Sequence, residues 1–355
     1  MSEVLLRAED VVKYFPVQSG GLRRSREKVH AVDGVSLEVR KGETLGLVGE
    51  TGCGKSTLAR CLARLYDLTS GFVEFEGQDI SKLKPRHLGL VRRDMQMIFQ
   101  DPYGSLNPKR RVGSIIGDPF VIHNVASGAD RKRRVQEVME LVGLNPEHYN
   151  RFPAEFSGGQ RQRIGVARAL ALRPKLVICD EPVSALDVSI QAQVLNLLKQ
   201  LQRDTGVSYL FISHNLAVVR HMADTVAVMY LGRIVEMGRR SDLFDAPLHP
   251  YTQALLAAIP VPDPAAAKQR RRIILAGELA NPLAPPSGCG FRNRCWKAAP
   301  LCGKIVPELS PHRSSGHLVA CHFAETTPDT PGLHATGGIG TAGNRSLLDG
   351  PPSAH

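Results

Sequence analysis

The sequence is poor in aromatic residues and lacks long apolar runs. Aromatic side chains make up 5% of its 355 residues, with one tryptophan. No run of about 18 apolar residues occurs, so no membrane-spanning helix is predicted, and membrane association would go through a partner or the surface. The first residues, Met-Ser-Glu-Val-Leu-Leu-Arg, lack the basic-then-apolar order of a signal peptide. Seven cysteines without such a signal argue against a disulfide framework.

The charge of the chain is basic but dispersed. The net charge is +11, and basic residues cluster at 23–28, 109–111, 131–134 and 270–272. Such a surface can bind nucleic acid, contact an anionic membrane leaflet or simply face solvent. Because the clusters are scattered and lack interleaved aromatic residues, we favour solvated faces and expect no nucleic-acid partner.

The clearest motif present is GETGCGKS at residues 49–56, which matches the P-loop pattern G-x-x-x-x-G-K-[ST]. Its glycines let backbone N–H groups fold around a triphosphate. Lys55 can reach the β- and γ-phosphates, and Ser56 can bind Mg²⁺. The apolar stretch 44–48 predicts a buried parallel strand before it, and apolar residues at helical spacing up to Leu65 predict a helix after it. The predicted nucleotide contacts here are Gly49, Glu50, Thr51, Gly52, Cys53, Gly54, Lys55, Ser56 and Thr57.

Three later apolar stretches each end in side chains suited to phosphate chemistry. Gln100 can bind Mg²⁺ or the attacking water. Asp180 is suited to holding Mg²⁺, and Glu181 can polarise the attacking water as the catalytic base. His214 ends the third stretch, where ligands of an α/β sheet bind, and would contact the γ-phosphate. Each residue alone is compatible with a solvated polar group, but their occurrence together with a P-loop favours catalysis.

A second anion-binding device begins at Ser157, which can cap a helix. Gly158 and Gly159 would expose N–H groups at the start of that helix, and Gln160 follows them. Without the P-loop, an ordinary capped helix would be the simpler interpretation. With it, the stretch predicts a second phosphate contact.

The remaining patterns predict the elements around these motifs. Residues 3–15, 31–40 and 72–80 have strand patterns, 16–30 a solvated loop and 188–203 a helix. Residues 103–155 indicate a helical insert in an α/β core. Within it, an apolar stripe from Val135 to Val142 is closed by Gly143, a good residue to end a helix.

Taken in order, these motifs resemble those of ATP-binding cassette (ABC) ATPases, over residues 1 to about 260. The resemblance implies an α/β P-loop NTPase with a RecA-like core, an antiparallel β subdomain and an α-helical subdomain at about 100–170. It implies that Gln100 joins Ser56 and Asp180 at Mg²⁺, and that Phe15, with Tyr14 second, stacks on adenine. It also implies two cassettes stacked head to tail, so that the partner's ATP is bound in trans by Ser157, Gly158, Gly159, Gln160 and Asp187. Phe156 and Asn215 depart from the usual Leu and Asp without removing a catalytic group.

Finer features resemble dipeptide and oligopeptide importer ATPases, including the F-type dipeptide permease subunits. These are residues 100–108, residues 249–256 and Gly277-Glu278-Leu279 before a proline- and cysteine-rich tail. The resemblance implies an ATPase subunit that powers peptide import as a peripheral protein at the cytoplasmic face of the inner membrane. Its partners would be two transmembrane permease subunits, a second identical or paralogous ATPase subunit and, indirectly, an extracytoplasmic peptide-binding protein. The alternatives are an importer for nickel or glutathione, and a soluble ABC ATPase acting on nucleic acid or ribosomes.

Four cysteines lie in the C-terminal extension that we assign to residues 261–323. A segment too small for its own core suggests a metal staple, and four thiolates suit Zn²⁺ or an iron–sulfur cluster. Free cysteines, or a histidine ligand from His312, His317 or His322, are the alternatives. The family resemblance implies a 4Fe–4S cluster on Cys289, Cys295, Cys302 and Cys321. Residues 324–355 are poor in large apolar residues, and we expect disorder there.

Overall fold

The described residues of the computed structural model form two sheets. Their strands are β1 Val4–Pro16, β2 Lys28–Arg40, β3 Thr44–Val48, β4 Ser70–Phe75, β5 Gln78–Asp79, β6 Met95–Ile98, β7 Leu176–Asp180, β8 Ser208–Ser213, β9 Thr225–Tyr230, β10 Arg233–Arg239, β11 Ser310–Pro311 and β12 Leu318–Val319. The central sheet has the order β11-β12-β10-β9-β3-β8-β7-β6, and the second sheet has the order β2-β1-β4-β5. The structure describes residues 3–17, 27–101, 104–259, 273, 275, 281, 283–312 and 316–325.

Helices cover the central sheet and form a separate group beside it. They are α1 Lys55–Leu62, α2 Gly89–Asp94, α3 Val112–Ile122, α4 Gly128–Leu141, α5 Gly158–Leu170, α6 Val188–Thr205, α7 Leu216–Met222, α8 Arg240–Asp245 and α9 Pro250–Ala257. In the part of the chain that the structure covers, none of the helices has both the length and the apolarity to cross a membrane.

The strands β9, β3, β8, β7 and β6 run parallel, so their carboxyl ends meet at one edge of the central sheet. Alternate side chains of a strand point to opposite faces. Leu176 and Ile178 therefore pack into one apolar core and Val177 and Cys179 into the other. Burial on both faces explains why these strands are continuous apolar runs, and the predicted parallel strand at 44–48 is confirmed.

The second sheet is antiparallel throughout, as the alternating patterns predicted. Two boundaries differ from the prediction. The stretch 72–80 is a hairpin, because Glu76 and Gly77 adopt positive φ and turn the chain between β4 and β5. The loop predicted at 16–30 is shorter, since β2 already begins at Lys28, and residues 18–26 of it lie outside the described residues.

The stretch 103–155, where the sequence indicated a helical insert, contains α3 and α4, which pack with α5. Val135 and Met139 are buried on the inner face of α4, and Gly143 has a φ of 71° just after the helix, as a C-terminal glycine should. Leu65, predicted as part of the helix after the P-loop, lies beyond the end of α1 and is 49% exposed.

The C-terminal segment is joined to the central sheet by strand pairing, which the sequence did not predict. β12 pairs with β10, with Val319 opposite Glu236, and β11 pairs with β12. Glu236 is completely buried and its carboxylate accepts a hydrogen bond from His317 Nε2 at 2.8 Å. The predicted disordered tail lies outside the described residues from position 326 onward.

Candidate functional site

The P-loop and the three polar strand ends meet around one cavity at the carboxyl edge of the central sheet. The carboxyl end of each parallel strand projects its following loop toward the same side, which brings residues distant in sequence together. The cavity is lined by Phe15, Val29, His30, Ala31, residues 51–57, Gln100, Asp101, Glu181, Ser184, Ala185, His214, Leu231 and Gly232.

The P-loop lies between β3 and α1, as predicted, and close backbone contacts require glycine at positions 49 and 54. Gly54 has a φ of 106°, and a Cβ there would lie 2.0 Å from the carbonyl oxygen of Ala31. Lys55 is buried, and its Nζ donates to the carbonyl oxygens of Gly49 at 2.8 Å and Glu50 at 2.9 Å. The ammonium is thus held inside the loop, in reach of an incoming phosphate.

The predicted magnesium ligands Ser56 and Asp180 are in contact. The Ser56 hydroxyl donates to Asp180 Oδ1 at 2.8 Å, although 124 residues separate them. Burial raises the pKa of Asp180, and the Ser56 hydroxyl together with Arg60 and Lys55 opposes that rise. A hydroxyl and a carboxylate paired at the end of a strand form a donor set that a hard divalent cation accepts.

Glu181 is the centre of a three-residue group. Its Oε2 accepts a hydrogen bond from Gln100 Nε2 at 3.2 Å and lies 3.0 Å from His214 Nδ1. Its backbone has a φ of 49°, an unfavourable conformation for a residue with a side chain, and such strain is concentrated at functional sites. The carboxylate is 9% exposed and His214 is 51% exposed, so the group faces the cavity from its wall.

Of the two aromatic residues predicted near adenine, Phe15 lines the cavity and Tyr14 does not. Successive residues of β1 face opposite ways, which separates them. Phe15 packs edge-on against Tyr66 with ring centroids 5.6 Å apart, and Lys13 Nζ lies 5.0 Å from the Phe15 ring. Tyr14 instead bonds Asp33, and burial together with that bond raises the pKa of Tyr14 to about 12.

The predicted in-trans residues lie elsewhere on the chain. Ser157 is the N-cap of α5, and its side chain accepts from the Gln160 N–H while the Gln160 side chain accepts from the Ser157 N–H. Ser157, Gln160 and Asp187 are exposed, and none of them lines the P-loop cavity. Gly159 packs against Ile190, whose Cγ2 would lie 2.5 Å from a Cβ at position 159. The predicted cap is confirmed, and the in-trans role stays a prediction.

The four C-terminal cysteines share one neighbourhood. Burial raises the pKa of Cys289, Cys295 and Cys321. Charge repulsion from others of the four thiols, Cys302 included, raises each of these pKa values further. Backbone N–H groups two residues further on, at Phe291, Lys297 and Phe323, donate to three of these sulfurs and oppose the rise in pKa. No group of three or more His, Cys, Asp or Glu side chains among the described residues is placed to hold a metal ion.

Sequence reasoning missed two parts of this region. His30 and Ala31, together with Leu231 and Gly232, line the cavity, and the only sequence signal is the Leu-Gly turn between β9 and β10. The second missed part is the back of the P-loop, where Glu50 bonds residues from α9 and from the C-terminal segment. No local pattern marks such contacts between distant segments.

Family models match two parts of the chain. Residues 32–184 match the model described as ABC transporter. Residues 235–302 match the model described as Oligopeptide/dipeptide transporter, C-terminal region.

Curated relatives match nearly the whole chain. The chain is 54% identical over 322 residues to the oligopeptide transport ATP-binding protein AppF of Bacillus subtilis (strain 168), covering 90% of this chain and 98% of the relative. It is 51% identical over 323 residues to the di/tripeptide transport ATP-binding protein DppF of Pseudomonas aeruginosa (strain UCBPP-PA14), covering 91% and 98%. Among solved structures, it is similar to the dimeric, post-hydrolysis ATP-binding cassette MJ0796 bound to ADP and Pi, with 26% identity, a TM-score of 0.59 and coverage of 66% of this chain and 99% of that one.

Proposed function

We propose, because this chain belongs to the ATP-binding subunits of oligopeptide and dipeptide ABC transporters, that it hydrolyses ATP to power import of dipeptides or oligopeptides through a membrane permease. One observation carries the ATPase part: Ser56, which bonds the buried Asp180, and the Gln100–Glu181–His214 group line the same cavity as the P-loop. Phosphate cradle, cation ligands and base are therefore within one site.

The chain's own residues supply the phosphate-binding, cation-binding and water-activating roles of phosphoryl transfer to water. Lys55 leaves the Gly49 and Glu50 carbonyls for the β- and γ-phosphates, while the P-loop N–H groups hold the phosphate oxygens. Ser56 and Asp180, with Gln100, would hold Mg²⁺, which would neutralise charge on the phosphates. Glu181 orients and polarises the attacking water, and His214 fixes that carboxylate and reaches the γ-phosphate.

The site is completed by a second subunit. The related MJ0796 cassette is described as dimeric with ADP and Pi bound, and in this chain the Ser157–Gln160 turn and Asp187 are exposed and outside the P-loop cavity. We assign the N-terminal turn of α5, Ser157–Gln160 (the α5 tip), to binding the nucleotide of a partner ATPase subunit, identical or paralogous. The N–H groups of Gly158 and Gly159 then add to the charge stabilisation of the partner's γ-phosphate.

A groove between α2, α3 and α4 supports the contact with the permease. Leu90 and Leu141 are 76% and 43% exposed and line it beside charged residues such as Arg93, Arg134 and Glu137. Exposed apolar side chains rimmed by polar ones mark interaction sites. We assign the groove to a cytoplasmic segment of a permease subunit, which holds the ATPase at the cytoplasmic face of the inner membrane. An extracytoplasmic peptide-binding protein would act through the permease.

The groove is tested by Leu90→Glu, which should prevent co-purification with the permease subunits while ATP binding stays normal. Leu65→Glu is the control, because Leu65 is also an exposed leucine, at 49%, and lies outside the groove. Equal permease binding by both variants would remove the groove from the contact.

For the domain organisation we propose an ATPase domain over 1–260, with its helical subdomain at about 100–170, a C-terminal extension over 261–323 and a tail over 324–355. The antiparallel sheet and the α3–α4–α5 group support the two subdomains. The β10–β12 pairing supports an extension that is continuous with the core rather than an independent unit.

We retain the cysteine cluster as a proposal with a 4Fe–4S cluster as its occupant and Zn²⁺ as the alternative. Four thiols in one neighbourhood form a suitable donor set, and N–H groups directed at sulfur are the usual second layer of such sites. His317 and His322 already bond Glu236 and the Ile305 carbonyl, which favours an all-cysteine set. The described side chains are not at ligating positions, so the thiols must draw together around the cluster.

Anaerobic purification followed by iron, sulfide and zinc assays decides the occupant. Four iron and four sulfide per chain, lost in Cys302→Ser, is the expected result. Stoichiometric zinc would instead establish Zn²⁺ as the occupant. Absence of both iron and zinc would contradict the proposed metal site.

The transport function is tested with the chain reconstituted together with its permease subunits in vesicles. Peptide delivered by the binding protein should raise ATP hydrolysis and accumulate inside. Stimulation by nickel or glutathione instead would favour an importer of another solute. Salt-sensitive nucleic-acid binding without permease association would favour the soluble class of ABC ATPases.

A further inference from the structure

Glu50 is the point where the P-loop is held from behind. Its backbone N–H donates to the Tyr251 hydroxyl at 2.8 Å, and its carbonyl accepts from Lys55 Nζ at 2.9 Å. Its carboxylate forms two hydrogen bonds with Arg294, at 2.8 and 3.1 Å. Residues 51–57 line the nucleotide cavity and Glu50 does not, so the side chain points away from the phosphate cradle.

Arg294 is itself fixed by the C-terminal segment that carries it. Phe291, three residues earlier, is 1% exposed and packs against the rings of Tyr230 and Tyr251, at centroid distances of 5.2 and 5.4 Å. The Arg294 side chain is 10% exposed, and its pairing with Glu50 raises its pKa. A bidentate arginine–carboxylate pair of this kind fixes direction as well as distance.

The charge of Glu50 makes this contact important for nucleotide binding. A carboxylate in the loop that must receive a triphosphate opposes the approach of that anion. Arg294 neutralises the charge and holds it on the far side of the loop. The backbone N–H and carbonyl of Glu50 are hydrogen-bonded at the same time, so the conformation of the P-loop at Glu50 is fixed before ATP binds.

We propose that Arg294 is a positioning residue for ATP binding, which holds the Glu50 carboxylate behind the P-loop and away from the nucleotide. The C-terminal segment thereby becomes part of the nucleotide site, although it contributes no residue to the cavity wall among those described. This inference rests on the proposed function in one respect, namely that the P-loop binds ATP.

The test measures Mg·ATP affinity of the full-length chain by titration calorimetry at low and high salt. Arg294→Met should weaken binding roughly tenfold, the loss of a partly exposed charge-assisted pair. Arg294→Met combined with Glu50→Gln should recover most of this loss, because the unpaired carboxylate is then gone. The defect of the single variant should shrink at high salt, which screens repulsion. Arg294→Lys should be intermediate, since it keeps the charge and loses the bidentate geometry.

Lys297→Met is the matched control. Lys297 lies in the same segment and pairs with Glu325 at 2.8 Å rather than with the P-loop, so its removal should leave ATP affinity unchanged. Unaltered affinity in Arg294→Met overturns the proposal. So does an equal loss in the single and double variants, because the effect then does not pass through Glu50. A parent chain that binds no ATP overturns the proposed function itself and this inference with it.

Discussion

The P-loop and the N-terminus of α5 both present backbone N–H groups, yet the chain treats them differently. Around the P-loop, the side chains of Lys55 and Ser56 already bond to partners within the chain, and Glu50 is held from two other segments. At α5, Ser157 and Gln160 bond each other across an exposed capping box. Ser56 and Glu50 of the P-loop thus bond to distant parts of the chain, whereas the side chains of Ser157 and Gln160 bond within the N-terminal turn of α5 and are exposed to solvent.

From this difference we infer two roles for similar backbone N–H groups: one set binds a nucleotide within its own chain, and the other contacts a nucleotide held by another subunit. A preorganised inner site can bind nucleotide within a single chain. An exposed helix tip with its N–H groups directed outward acts on a ligand that another molecule brings. The division we propose follows: binding belongs to one subunit, and hydrolysis requires two.

The largest expected effect separates binding from chemistry at the inner site. Glu181→Gln should lower ATP turnover by roughly 10²- to 10⁴-fold, the usual contribution of a positioned base, while ATP affinity stays near that of the parent. Steady-state phosphate release and nucleotide titration measure the two quantities. Glu140→Gln, at an exposed position on α4, is the control and should change neither. Near-normal turnover of Glu181→Gln would remove Glu181 from catalysis.

The second effect tests how firmly α9 supports the back of the P-loop. His249 is 1% exposed and its Nδ1 accepts the Tyr251 N–H at 3.0 Å, which only the neutral ring can do. Burial lowers the pKa of His249 from 6.5 to about 4, and Glu236 opposes this shift. The unfolded chain therefore binds more protons between about pH 4 and 6.5, so the stability due to His249 is full above 6.5 and falls as the pH drops through that window.

Between pH 7 and pH 5 the expected loss is roughly 2 kcal/mol, since each pKa unit crossed below 6.5 contributes about 1.4 kcal/mol. Thermal melting of the parent and of His249→Asn at pH 7 and pH 5 measures it. Asparagine can cap the helix without titrating, so the variant should lose less stability on acidification. Equal losses in the two proteins would show that His249 does not titrate in this range.

A third effect addresses the outward tip directly. Ser157→Ala should weaken ATP-dependent pairing of subunits and lower turnover about tenfold or more, while ATP binding to one chain stays unchanged. Asn145→Ala controls for the lost cap, because Asn145 caps a different, short helix, Pro146–Asn150, by accepting the Glu147 N–H at 2.9 Å. Sedimentation with ATP in a Glu181→Gln background reports the pairing. Unchanged pairing and turnover would place the α5 tip outside the reaction.

The last effect is measured as stability alone and concerns the packing beneath the tip. Gly159→Ala would place a Cβ 2.5 Å from Ile190 Cγ2, and overpacking of this kind costs about 1–3 kcal/mol. Gly165→Ala in the same helix meets nothing within 4 Å and should stabilise the protein by about 0.5–1 kcal/mol. Opposite shifts of the melting temperature are expected. Shifts of the same sign would contradict the close α5–α6 contact.

Much of the fold was readable because its signals are local. Continuous apolar runs indicated the parallel strands, alternation indicated the antiparallel sheet, and Gly143 and Ser157 marked helix ends. The hairpin at β4–β5 was missed because two short strands joined by Glu76 and Gly77 carry the same composition as one longer strand. Strand alternation predicts that Phe15 and Tyr14 lie on opposite faces of β1. Only the orientation of β1 in the structure shows which of them faces the cavity.

The sequence by itself determined the phosphate-binding chemistry, since the P-loop, the strand-end carboxylates and the α5 cap are set by residues adjacent in the chain. Tertiary structure alone decided which of these groups touch. Ser56 meets Asp180 across 124 positions and Arg294 meets Glu50 across 244. Such contacts depend on strand order and on a C-terminal segment packed through Phe291, and these come from burial of the whole core rather than from any local pattern.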